Sequence, residues 1–315
     1  MDDVSRVFEF AQADAARTLF GEKNESLKVL EELAHVRIHA RGQEVRIDGD
    51  EHDVALAARV LTELFDLIRS GHPVFADDVQ HAHAILAADE RVHLKDVFLD
   101  TIYVAADKRR VAPRSLNQKR YIDAMRDDDL VFGIGPAGTG KTYLAMAMAV
   151  AALKRHQVRR IVLTRPAVEA GEKLGFLPGS LEEKIDPYLR PLFDAIETLF
   201  TFEESARLIS NRQIEVIPLA FMRGRTLRKS FVVLDEAQNT TVAQMKMFLT
   251  RFGEGSRMVV AGDSSQRDIG AAQNGFADAM QRLGELNGIT VVRLGLADIV
   301  RADIIGRIIE AYDNA

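Results

Sequence analysis

Gly135-Pro136-Ala137-Gly138-Thr139-Gly140-Lys141-Thr142 is the stretch that decides the fold of this 315-residue chain. It satisfies the spacing G-x-x-x-x-G-K-[ST] of a phosphate-binding loop. Leu130-Val131-Phe132-Gly133-Ile134, just before it, reads as a buried strand. Tyr143 to Leu153, just after it, is rich in Ala, Leu and Met and reads as a helix. Strand, loop and helix in that order are the context the motif requires. Its glycines let backbone N–H groups converge on phosphate oxygens, and the helix N-terminus adds the positive end of a dipole. Lys141 is expected to reach the β- and γ-phosphates, and the Thr142 hydroxyl to hold Mg²⁺.

Outward from the loop, strand and helix patterns alternate. Further strands are expected at Arg160–Thr164, Ile214–Pro218, Phe231–Leu234, Met258–Ala261 and Thr290–Leu294. They are short, apolar and non-alternating, as in a parallel sheet buried on both faces. The fold class that follows is α/β, a doubly wound and mostly parallel sheet over residues 117–315.

Two of these strands deliver acidic groups to their C-terminal ends, where open α/β sheets bind ligands. Ser230-Phe231-Val232-Val233-Leu234-Asp235-Glu236 has the form of a Walker B strand. Asp235 is expected to bind Mg²⁺ through water, and Glu236 to orient and deprotonate an attacking water. A kinase needs no such glutamate, so the pair favours hydrolysis. An acidic cap on a core strand is the plainer alternative. Val259-Val260-Ala261-Gly262-Asp263-Ser264-Ser265-Gln266 ends a third strand, and Gln266 is placed to sense a γ-phosphate. By itself a Gly-Asp turn after a strand is common.

Residues 1–86 read differently. Leu27 to Leu33 suggests a helix. Val36–Ala40 and Glu44–Asp48 alternate as two strands around Arg41-Gly42-Gln43, and Asp53 to Ile68 has helical apolar spacing. This is a small α+β unit. Residues 87–116, with Lys108-Arg109-Arg110 and Pro113-Arg114, are charged and read as a connector.

Composition bounds the function. The 47% hydrophobic and 28% charged content is that of an ordinary globular protein. The absence of cysteine excludes disulfides, Cys-ligated zinc and thiol catalysis. The opening Met1-Asp2-Asp3 is acidic, unlike a secretory signal, and the run Tyr143–Leu153 is too short to span a bilayer. A cytoplasmic location, without membrane partners, is the expectation. A net charge of −6 argues against indiscriminate nucleic-acid binding but leaves room for a local basic groove. His72, His81 and His83 lie in a polar stretch and are expected to be solvated rather than metal ligands. The Met146/Met148 and Met245/Met247 pairs are expected to pack in helices.

Gly-Lys-Thr, then Asp235-Glu236-Ala237-Gln238, then Gly262-Asp263-x-x-Gln266, in that order, resembles superfamily-1-type helicase cores. The chain resembles the PhoH family of ATPases more closely. That resemblance rests on Thr164-Arg165-Pro166 with its continuation to Gly179, on Lys184 to Pro191, on Met222-Arg223-Gly224-Arg225-Thr226-Leu227, and on Asp235 to Thr240. It covers about residues 115–315. The N-terminal unit is similar to the family's KH-like domain, although Gly21-Glu22-Lys23-Asn24 lacks the second glycine of a G-x-x-G loop and carries an acid. RNA clamping there stands beside a simple docking role.

The resemblance implies a RecA-like ATPase using ATP and Mg²⁺, acting on RNA in RNA metabolism, with a ribosome-associated endoribonuclease as a possible partner. A nucleotide switch that docks such a partner is the alternative. It places Gln118 of Asn117-Gln118 where related enzymes read adenine, although a helix-capping pair would look the same. It places Arg165 where helicase-like proteins touch a nucleic-acid backbone; contact with nucleotide, or mere solvation of a loop, is also open. Glu169–Gly179 is a candidate lid or RNA-facing loop. About 20 residues follow the last strand, too few for a second lobe, so an arginine finger is expected in trans from a neighbour or from the C-terminal helix, and the resemblance implies a ring homo-oligomer, plausibly a hexamer. Arg223, Arg225, Arg251 and Arg301 are candidates, with Arg301 first and Arg251 more simply a surface arginine.

Overall fold

The computed structural model describes residues 3–166, 181–264 and 274–299. Two compact units divide the chain. One holds residues 1–100 and 112–116, the other 101–111 and 117–315. The stretch read as a connector is thus shared between them. It includes a helix, Leu94–Phe98, and a two-stranded pairing of Tyr103–Val104 with Arg110–Val111.

In the first unit, strands β1 (Asp3–Glu9), β2 (Arg37–Arg41) and β3 (Glu44–Asp50) form an antiparallel sheet of order β1-β3-β2. Helices α1 (Ala13–Phe20), α2 (Glu25–Ala34), α3 (Glu51–Arg69), α4 (Ala76–Ala88) and α5 (Leu94–Phe98) supply the rest. Strand period two turns Val45 and Ile47 of β3 inward, both fully buried, while Glu44 and Arg46 face out. Val54, Leu61, Leu64 and Phe65 of α3 share the core with them. α3 starts cleanly because the Asp50 carboxylate accepts from the His52 N–H at 3.1 Å. Four elements of this unit went unread in the sequence: β1, α1, α4 and α5. α4 corrects the reading of the histidines. His81 is largely buried on that helix with Nδ1 lacking a hydrogen-bond partner, and burial lowers its pKa.

The second unit carries a six-stranded parallel sheet: β6 (Leu130–Ile134), β7 (Arg160–Arg165), β8 (Ile214–Pro218), β9 (Ser230–Leu234), β10 (Arg257–Gly262) and β11 (Ile289–Arg293). The small pairing noted above supplies β4 and β5. The order is β11-β6-β10-β9-β7-β8. Every strand expected in this unit is there, with ends shifted by one residue at most. Alternate residues feed two cores. Val131, Leu163, Val233 and Val259 face one way; Phe132, Val162, Leu234 and Val260 face the other. The first layer is covered by α6 (Leu116–Asp127), α7 (Lys141–Lys154), α8 (Leu181–Leu199) and α9 (Phe202–Ser210). α10 (Val242–Leu249) and α11 (Gly275–Leu283) cover the second. α7 is apolar almost all round and accordingly buried from Leu144 to Leu153, both methionines included. Met245 is buried and Met247 partly so in the other layer.

Candidate functional site

The phosphate loop joins β6 to α7 at the C-terminal edge of the sheet. Its glycines serve different needs. Gly138 and Gly140 have φ of 88° and 80°, the left-handed region that an L side chain occupies only with strain. Gly135 is there for space: a Cβ would lie 2.5 Å from the Leu294 carbonyl oxygen. Lys141 Nζ donates to the carbonyls of Gly135 at 2.6 Å and Pro136 at 2.8 Å, and the Thr139 hydroxyl donates to Pro136 O at 2.9 Å. The lysine therefore lies across the loop's mouth, with α7 starting at its own Cα.

Beside it, the end of β9 contributes the acidic pair. The Thr142 hydroxyl donates to Asp235 Oδ1 at 2.6 Å. Burial pushes the Asp235 carboxyl up; the Thr142 bond lowers it, the Glu236 charge raises it and Arg165 lowers it. A buried carboxylate so incompletely compensated, with a hydroxyl on one oxygen, is a donor set that suits a hard divalent cation. Glu236 follows in a left-handed conformation, φ 52°, rare for a side chain of its size. That turn directs it to the adjacent strand end, where Arg165 Nη2 donates to Glu236 Oε1 at 2.8 Å. Arg165 Nε lies 3.8 Å from Asp235 Oδ2, and Nη1 donates to the Tyr188 carbonyl at 3.2 Å.

Gln238, quoted in the sequence motif but given no role there, is the residue sequence reasoning missed. It is buried, its Nε2 donates to Glu236 Oε2, and its Oε1 accepts from the Asp263 N–H at 2.9 Å. It thereby ties the β9 end to the β10 end. Only the short DEAQ signature hinted at it.

A cavity of about 350 Å³ gathers Gly138, Gly140, Lys141, Thr142, Arg165, Asp235, Glu236 and Asp263 in its lining. The structure thus brings the three sequence motifs together as far as Asp263. Gln266, Arg301 and Glu169–Gly179 lie outside the described residues. Gln118 does not line the cavity. It is buried behind the loop, where its Nε2 donates to Thr139 O at 3.1 Å and Asp298 O at 3.3 Å. Asn117 donates to the Asp298 carboxylate at 3.1 Å. Arg225 pairs with Glu215 at 2.7 Å, and Arg251 donates to the Met247 and Arg225 carbonyls, both away from the cavity. Among the described residues no group of three or more potential metal ligands of the His/Asp/Glu type exists, and no helix is long and apolar enough to cross a membrane.

A phosphate loop after the first strand of this sheet, with an acidic pair at the end of β9 and one strand, β10, inserted between the two, defines a RecA-like α/β phosphate-loop protein. Comparison with known proteins narrows the class. The family described as PhoH-like protein matches residues 110–313. A PhoH-like protein of Mycobacterium leprae is 50% identical over 295 residues, covering 93% of this chain and 84% of that one. One of Bacillus subtilis is 46% identical over 302 residues, covering 96% and 95%. One of Synechocystis is 41% identical and covers 100% and 96%. The chain belongs to the PhoH family.

Proposed function

We propose that this protein hydrolyses ATP with Mg²⁺ and uses the energy to move or remodel RNA. The observation that carries the hydrolytic reading is the unbroken run of contacts Thr142–Asp235–Arg165–Glu236 in the cavity beside Lys141. Thr142 and Asp235 would hold the metal, which supplies charge neutralisation on the β- and γ-phosphates. Lys141 would leave the loop carbonyls for those phosphates. Glu236 would position water for in-line attack, and Gln238 fixes the direction of its carboxylate.

The RNA reading is supported by the helicase-like order of motifs and by the N-terminal unit. There the turn Gly21–Asn24 connects α1 to α2, with positive φ at Gly21, Lys23 and Asn24. We read this unit as KH-like, its loop exposed at Lys23 and Asn24. A ring homo-oligomer with a neighbour's arginine at the site belongs to the same proposal, as does the cytoplasm as its location.

Steady-state phosphate release with and without single-stranded RNA tests this, with Glu236→Gln as blank. Turnover that RNA accelerates is the expected result. Turnover indifferent to RNA would remove the RNA motor and favour a partner-docking role, for instance on an endoribonuclease. No turnover above the blank would remove the ATPase.

A further inference from the structure

We propose that Arg165 is this chain's own arginine for the γ-phosphate of ATP, and that its ion pair with Glu236 holds it in reserve until that phosphate arrives. The inference rests on the ATP reading above and adds to it a residue that acts in cis.

Among the described residues, Arg165 is the one arginine in the cavity lining. Its guanidinium makes three separate contacts. Nη2 donates to Glu236 Oε1 at 2.8 Å, Nε faces Asp235 Oδ2 at 3.8 Å, and Nη1 donates to Tyr188 O at 3.2 Å. Its side chain is 20% exposed, so the pair is partly screened and open to exchange. A guanidinium binds carboxylate and phosphoryl oxygens with the same planar fork. Glu236 therefore occupies the arginine as a phosphate would.

Loading of the site changes the balance in a fixed direction. Thr142 and Asp235 would hold a divalent cation, and the Asp235 carboxylate would then no longer depend on Nε for compensation. The triphosphate brings more negative charge than Glu236 alone and repels that carboxylate. Nη2 then exchanges Glu236 Oε1 for a γ-oxygen, while Nη1 on Tyr188 O serves as the pivot. One exchange does two things. It puts positive charge where the transition state develops negative charge, and it frees Oε1 of Glu236 for a water. ADP has no γ-phosphate and triggers neither. The water-positioning carboxylate is thus released by the same γ-phosphate that its water attacks.

The test is equilibrium binding of Mg²⁺–AMPPNP and Mg²⁺–ADP to the full chain, by calorimetric titration, in R165A, R165K, E236Q and R165A/E236Q. R165A should weaken AMPPNP about tenfold or more, as for loss of one charged hydrogen bond, and leave ADP within about twofold. R165K should recover part of the loss. E236Q, which releases the arginine, should tighten AMPPNP, and the double variant should lose that gain, a non-additive cycle. Unchanged ADP affinity reports an intact fold; should R165A not fold, R165M takes its place. Equal weakening of both nucleotides would overturn the proposal in favour of a bracing role between β7 and α8. Unchanged affinities with lost RNA stimulation would overturn it in favour of a nucleic-acid contact. A wild-type chain that binds but does not hydrolyse ATP sinks the ATPase reading alone, because the AMPPNP/ADP ratio still judges Arg165.

Discussion

Replacing Gly135 by alanine separates two explanations of the first glycine in the phosphate loop. Its φ is not in the left-handed region, so backbone freedom is not the reason for it. Space is. An added Cβ would sit 2.5 Å from Leu294 O and 3.0 Å from Leu294 Cβ. Carbon and carbonyl oxygen normally approach to about 3.3 Å, so the chain beyond β11 must retreat by roughly 0.8 Å. That retreat pulls on the Leu294 N–H, which donates to Ile134 O at 2.7 Å. Overpacking of this kind costs about 1–3 kcal/mol. For a unit of this size that is a fall of roughly 2–12 °C in melting midpoint. The assay is scanning calorimetry, following the transition that Mg²⁺–AMPPNP shifts upward, which marks the nucleotide-binding unit. Hydrogen exchange at Leu294 supplies a local readout, with faster exchange in the variant. A midpoint within 1 °C of wild type and unchanged Leu294 protection would refute the steric account.

Other perturbations follow from the same geometry. Gln238→Ala leaves the Asp263 N–H buried without its acceptor and lets the Glu236 carboxylate turn. It should lower kcat by about tenfold or more with nucleotide affinity nearly unchanged, and an equal loss in both would argue against a positioning role. His81 titrates below its ordinary value because burial disfavours its charge, with Asp78 and Asp77 pulling it up and Arg114 down. A depressed histidine contributes stability that is present above the unfolded value of about 6.5 and is lost as pH falls through the folded one. The first unit should therefore melt earlier on acidification from about pH 7 to 5, and His81→Leu should flatten that dependence. Parallel pH profiles for the two proteins would exclude His81 as the source. Leu61→Ala, at a fully buried position of α3, should destabilise the same unit by about 2–5 kcal/mol in urea unfolding. A loss below about 1 kcal/mol would contradict its place in the core.

The nucleotide-binding sheet was legible because its strands are buried on both faces, which writes them as short unbroken apolar runs such as Phe231–Leu234. The motifs sit at strand ends, so order in sequence became proximity in space. β1 was not legible. Asp3–Glu9 mixes Val7, exposed, with charged neighbours and owes its conformation to pairing with β3, a long-range partner no local pattern announces. α1 and α4 were missed for a related reason: their apolar faces are small, and Asp77, Asp78, His81 and His83 disguise the spacing of Val79, Ala82 and Leu86. In the site, residue types were readable and connections were not. Nothing in the sequence places Gln118 behind the phosphate loop, on the carbonyls of Thr139 and Asp298. Equally, the pairing of Arg165 with Glu236 needs β7 and β9 to be neighbours, which is a fact of topology.

The central claim is that Lys141 holds ATP and Glu236 turns it over. Phosphate release and Mg²⁺–ATP binding, measured side by side for wild type, Glu236→Gln and Lys141→Ala, test it most directly. Glu236→Gln should bind at least as tightly as wild type while its turnover falls by about a hundredfold or more. Lys141→Ala should lose binding itself. Wild-type turnover in Glu236→Gln, or wild-type affinity in Lys141→Ala, would contradict the account.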